Sequence, residues 1–134
     1  MGSGAEQRVL LVTADEGRRV SIRRLLKRAD YQVEVAASHR EAVHLLAEGG
    51  PAASRLPLAI LVDQESLQSD AQLVIRAVRN AELGVPVVVL SALGAADDVI
   101  VCLQSGAIDY ISLPADPRQF LDVLRRAINT PRVT

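Results

Sequence analysis

Pro57-Leu-Ala-Ile-Leu-Val-Asp63 is the stretch on which the fold turns. Five consecutive apolar residues follow a proline and end on a single carboxylate, a strand-sized run without the polar alternation of a strand that has one wet face. Such a strand needs cover on both sides, the condition of a parallel sheet with helices packed on each face. Four more short runs rich in β-branched residues accompany it: Val9 to Val12, Val33 to Ala36, Val85 to Leu90 and Ile108 to Ser112. The stretches between them have helical spacing, as in Ile22, Leu25, Leu26 and Ala29, or Phe120, Leu124, Ala127 and Ile128. The pattern is α/β, written (βα)5.

Right-handed crossovers put the helices on both sides of such a sheet. The expectation is a doubly wound parallel sheet, flavodoxin-like, with strand order 2-1-3-4-5 and its site at the carboxyl ends of the first and third strands. A chain of 134 residues fits one compact domain. Residues 8–129 are expected to form it, with 1–7 a leader or cloning remnant and 130–134 a tail or the start of a linker. The longest connection opens at Gly49-Gly50-Pro51 and runs to Pro57.

Hydrophobic residues make up 49% of the chain and charged ones 23%, which argues against disorder and against a membrane protein. Tyr31, Tyr110 and Phe120 are the only aromatics, so Val, Leu, Ile and Ala must build the core. The net charge of −1 and the missing stacking residues give no basis for direct nucleic-acid binding. The single Cys102 cannot form an internal disulfide, and no apolar run approaches the roughly 18 residues of a membrane span. A cytoplasmic protein is expected.

In this fold the polar groups after strands one, three and four converge. Here these are Thr13, Ala14 and Asp15, then Asp63, then Ser91. The segment ending at Asp63 resembles the third strand and phosphoacceptor of bacterial two-component response regulator receiver domains. Val85-Pro-Val-Val-Val-Leu-Ser91-Ala92 is similar to the family's fourth strand with its small hydroxyl residue. Ser105-Gly-Ala-Ile-Asp-Tyr110-Ile-Ser-Leu113-Pro114 is similar to its fifth-strand region. From Val12 to Tyr31, and through Glu41-Ala-Val-His-Leu-Leu46, apolar positions fall where the family has them without a gap. The resemblance covers roughly Arg8 to Ile128.

It implies a phosphoacceptor position at Asp63, with Ser91 as the hydroxyl that would bond the phosphoryl group and Tyr110 as the switch aromatic. It also implies two acids after the first strand to hold Mg²⁺, and a lysine before the fifth-strand proline. Thr13 and Ala14 stand in place of the acids and Leu113 in place of the lysine, so this is an atypical, pseudo-receiver pattern. Mg²⁺ wants near-octahedral oxygen ligation from one or two carboxylates, and Ala14 offers none. A unit charge pair at about 4 Å is worth on the order of 4 kcal/mol at an effective dielectric of 20. Losing both cations should slow phosphoryl transfer by several orders of magnitude.

No cofactor is expected, save that Asp15, with Asp63, could give weak Mg²⁺ binding by swinging in or by a two-residue shift of the alignment. Asp70 reads as a helix-start residue. The acidic, glycine-poor Thr13-Ala-Asp-Glu-Gly17 argues against flavin or nucleotide binding.

Arg18, Arg19, Arg23, Arg24, Lys27 and Arg28 give the first helix a dense basic face, read either as solvated or as a dock for an acidic protein surface. His39 and His44 are expected to face water on the second helix, and Cys102, with Val99 and Leu103, to fill core. Val101, Ile108 and Tyr110 fall on the face of the fourth helix, fifth strand and fifth helix. The family commonly uses that face for dimers and output contacts, and apolar residues at Val101 and Ile108 suggest a patch there. The functional expectation is a signalling module and not an enzyme, acting mainly through protein contacts with a histidine kinase, an output domain or a second copy. The alternative is a working phosphoacceptor that takes phosphate from a histidine kinase onto Asp63.

Overall fold

A computed structural model of the chain describes residues 7–49 and 56–130. Five strands, β1 (Arg8–Val12), β2 (Gln32–Ala36), β3 (Ala59–Asp63), β4 (Val87–Ala92) and β5 (Asp109–Leu113), form one sheet in the order β2-β1-β3-β4-β5. Every pairing is parallel. Among the described residues six helices accompany them: α1 (Glu16–Arg28), α2 (His39–Gly49), α3 (Gln64–Leu67), α4 (Asp70–Asn80), α5 (Ala96–Ser105) and α6 (Pro117–Asn129). This is the doubly wound, flavodoxin-like sheet expected from the apolar runs. The leader, most of the Gly49 to Pro57 connection and residues 131–134 lie outside the described residues.

Alternating side chains of the central strands feed two cores. Leu10, Val12, Ile60, Val62, Val87 and Val89 pack under α2, α4 and α5. Val9, Leu11, Ala59, Leu61, Val88, Leu90 and Ile111 pack under α1 and α6, against Ile22, Leu26, Phe120 and Leu124. All five residues of β3 are buried, as a strand covered on both faces must be. Thr13 and Asp63 follow β1 and β3 in the phase of the second set, which directs them toward α1.

Several local details differ from expectation. The fourth strand begins at Val87 and not Val85 because Pro86 has no N–H to give the ladder, although its carbonyl still accepts from Ile60 N at 2.9 Å. The stretch after Asp63 winds at once into the single turn α3, and α4 then starts at Asp70, the expected helix-start residue. Leu103 is partly exposed and not core, whereas Val99 and Cys102 are buried as expected. His39 is also drawn in from water: its Nδ1 lies 3.3 Å from Asp70 of α4, while His44 stays exposed beside Glu48. Among the described residues no helix is long and apolar enough to cross a membrane.

Candidate functional site

Asp63 ends β3 with no exposed surface. An isolated buried carboxylate would be costly, and it is compensated at both oxygens. Thr13 Oγ1 donates to Oδ2 at 2.8 Å, and Arg18 Nη1 donates to Oδ1 at 2.9 Å. The second guanidinium arm, Nη2, pairs with Glu65 of α3, so one side chain of α1 bridges two carboxylates. Burial works against the charge of Arg18, but the hydrogen bond to Glu65 and the charge of Asp63 outweigh it and hold its pKa above the ordinary arginine value.

Ser66 completes the arrangement. Its hydroxyl lies 3.3 Å from Thr13 Oγ1, accepts from the Ala14 amide at 3.0 Å and is 3.4 Å from the Asp63 carbonyl. The Asp15 amide donates back to Thr13 Oγ1 at 3.1 Å. Asp15 Oδ1 accepts from Arg18 N at 2.9 Å, so this carboxylate caps α1. Among the described residues no three His, Cys, Asp or Glu side chains gather as a metal site.

Leu113 packs with the α1 and α6 core and lines a cleft with Arg18, Ile22, Leu25, Pro114 and Phe120. It therefore contributes apolar surface where the resemblance implies a lysine. Ser91, at the end of β4, is fully buried, and its hydroxyl has no hydrogen-bond partner among the described residues. Tyr110 of β5 is 45% exposed, Val101 of α5 38% and Ile108 42%. Ile100 and Leu103 of α5 are exposed too.

Thr13, Ala14, Asp15 and Asp63 thus meet in one place, as expected from their positions after β1 and β3. Arg18, Glu65 and Ser66 belong with them and were not anticipated. Arg18 leaves the basic face to which its neighbours assign it, and Arg19 pairs with Glu16 on the same helix. A signal for Arg18 was nonetheless present: it stands four residues before Ile22, at the head of the stripe that α1 buries.

Comparison with known proteins agrees with this architecture. The profile of the response regulator receiver domain family matches residues 9–125. Response regulator MprA of Mycolicibacterium vanbaalenii is 32% identical over 118 residues, covering 88% of this chain and 48% of that protein. Transcriptional regulatory protein PrrA of Mycobacterium tuberculosis is 34% identical over 107 residues, covering 80% and 43%. The chain spans about half the length of these curated relatives. Among solved structures, a response regulator signal receiver domain from Bermanella marisrubri superposes with a TM-score of 0.78 at 28% identity, covering 92% of this chain and 99% of that one. The receiver domain of a sensor histidine kinase from Pseudomonas aeruginosa gives 0.77 at 28% identity, covering 92% and 98%, and carries a magnesium ion in its active-site cleft.

Proposed function

Because this chain belongs to the response regulator receiver domain family, we propose that it is a pseudo-receiver, a signalling module that acts through protein contacts without depending on phosphorylation of Asp63. The observation that carries this reading is the state of the carboxylate: Oδ1 is held by Arg18 and Oδ2 by Thr13, inside the protein. To be phosphorylated, one of these oxygens must attack phosphorus while the donor's leaving group departs, and the hydrogen bond each accepts, charge-assisted at Oδ1, lowers its nucleophilicity.

The groups around Asp63 also do not suit Mg²⁺. A hard divalent cation wants oxygen ligands. Here Asp63 meets a guanidinium, Asp15 is engaged in capping α1, and Ala14 carries no side-chain oxygen. Neither a cofactor nor an enzymatic reaction is part of this reading. Partners are signalling proteins, a histidine kinase or an output domain, and the Val101, Ile108 and Tyr110 face is the contact surface for a partner or a second copy.

One observation favours a second reading, in which Asp63 still accepts phosphate from a histidine kinase: among the described residues the buried Ser91 hydroxyl has no partner and could bond a phosphoryl oxygen. Intact-mass spectrometry after treatment with acetyl phosphate and Mg²⁺ separates the two. The wild-type chain is expected to stay unmodified, as is Asp63→Asn. The triple variant Ala14→Asp, Leu113→Lys, Arg18→Ser restores an acid and a lysine and clears the guanidinium, and it is expected to gain one phosphoryl group. Rapid stoichiometric phosphorylation of the wild type, absent in Asp63→Asn, would sink the pseudo-receiver reading.

A further inference from the structure

The contacts around Asp63 tie two separate pieces of backbone together. On one side is the β1–α1 junction, Thr13 to Arg18. On the other is α3, a single turn closed by Gln68 at φ 56°, a left-handed conformation uncommon outside glycine. One isolated turn has no cooperative stability of its own, so its placement depends on what holds it. Leu67 packs into the core below. Above, Ser66 bonds the Ala14 amide and approaches Thr13, and Arg18 grips Glu65 with one arm and Asp63 with the other. A guanidinium suits this task because its planar fork presents two donors to two acids and its charge is permanent.

We propose that Arg18 is a resident cation. It neutralises Asp63, pins α3 to the start of α1, and holds this end of the domain in one arrangement without metal until Arg18 itself is drawn away. The proposal rests on the pseudo-receiver reading and adds to it the residue that sets the state. It also makes a demand that simple packing would not. Without Arg18, the buried Asp63 and the neighbouring Glu65 lose their shared counter-charge, and a cation from solution becomes the remaining means of compensation. A domain indifferent to Mg²⁺ should then become responsive to it.

Amide hydrogen exchange at Ala14, Asp15 and residues 64–69, with and without Mg²⁺, tests this. Wild-type rates are expected to be the same in both conditions. Arg18→Met, which keeps much of the side-chain bulk, should exchange at these amides roughly tenfold faster or more, reflecting a lowered local opening energy. Added Mg²⁺ should slow that exchange again. Arg18→Lys, which keeps the charge but not the fork, should lie between. Glu65→Gln removes only the exposed half of the grip and cannot unfold the core; it should speed exchange at 64–69 and leave Ala14 nearer its wild-type rate.

Arg18→Met with wild-type rates would overturn the proposal. So would a wild type that responds to Mg²⁺ as strongly as the variant, or a faster Arg18→Met that ignores Mg²⁺ and is matched by Arg18→Lys. Acetyl phosphate labelling run on the same wild-type sample keeps the two ideas apart: phosphorylation there removes the pseudo-receiver reading, whereas the exchange pattern alone decides the resident cation.

Discussion

Arg18 finds two carboxylates for its guanidinium, whereas Ser91 has no partner for its hydroxyl among the described residues although it is fully buried. A buried polar group left without a bond costs about 1–3 kcal/mol. Ser91→Ala removes that group with almost no change in volume. Its unfolding free energy in urea is therefore expected to stay level or to rise by up to about 1 kcal/mol. A loss greater than this would mean that the hydroxyl is already bonded, and it would take away the observation that favours phosphate acceptance. The two residues also differ in how readable they were. Ser91 follows from its place at a strand end, where the backbone alone aims a short side chain. Arg18 has a long side chain whose direction depends on which acids lie across the gap. Periodicity ranks a helix position as buried or exposed, but it does not say that a guanidinium will reach from α1 to Asp63 and Glu65. Ser66 was hidden for a related reason: its role requires that α3 turn immediately after β3, and nothing local announces a one-turn helix.

The strands were the easiest elements to read, because each central strand is an apolar run whose two faces must both be covered, and they lie within two residues of their expected bounds. Helix faces were read less evenly. The stripe through Ile22 and Leu26 is buried as its spacing requires, but α5 presents Ile100, Val101 and Leu103 to solvent and buries Val99 and Cys102. Ile108, just before β5, and Tyr110 within this edge strand are exposed as well, so five exposed apolar residues fall on one helix and the strand that follows it. Single apolar residues are ordinary on a surface, while several on neighbouring elements of the chain make a candidate contact face. Val101→Glu and Ile108→Glu should therefore lower the mass in solution where the wild type self-associates, or abolish binding of an identified partner where it does not. Both positions are about two-fifths exposed, so a glutamate there reaches water and the fold should tolerate it. Unchanged mass and unchanged partner binding in both variants would remove this face from the function.

Across the whole molecule a net charge of −1 conceals an uneven distribution. Asp15, Asp63 and Glu65 gather where β1 and β3 end, with Arg18 inside the group, and Glu16 engages Arg19. Arg24, Lys27 and Arg28 remain exposed along α1 with the half-buried Arg23 beside them, and Arg24 and Arg28 share a groove with Arg125 of α6 above Leu25 and Leu121. Such a surface attracts acids, and the remaining question is whether the acid is a phosphate backbone or a protein. Nucleic-acid binding without sequence readout draws its affinity from several phosphate contacts and, on single strands, from stacked aromatics. This face offers a short line of cations with apolar residues between them, and none of the three aromatics of the chain lines either groove. An acidic protein surface with some apolar area matches it better, and local charge of this kind speeds encounter even when the net charge is near zero. The expected result is that fluorescence anisotropy detects no saturable binding to a labelled DNA duplex at physiological salt, even near the weak end of non-specific affinity, about 10⁻⁴ M. Arg23→Glu together with Lys27→Glu should leave that null result unchanged while slowing association with any acidic protein partner at low salt. Tight duplex binding that falls steeply with salt, and that the double variant abolishes, would show that the basic face serves nucleic acid and that the protein-docking assignment is wrong.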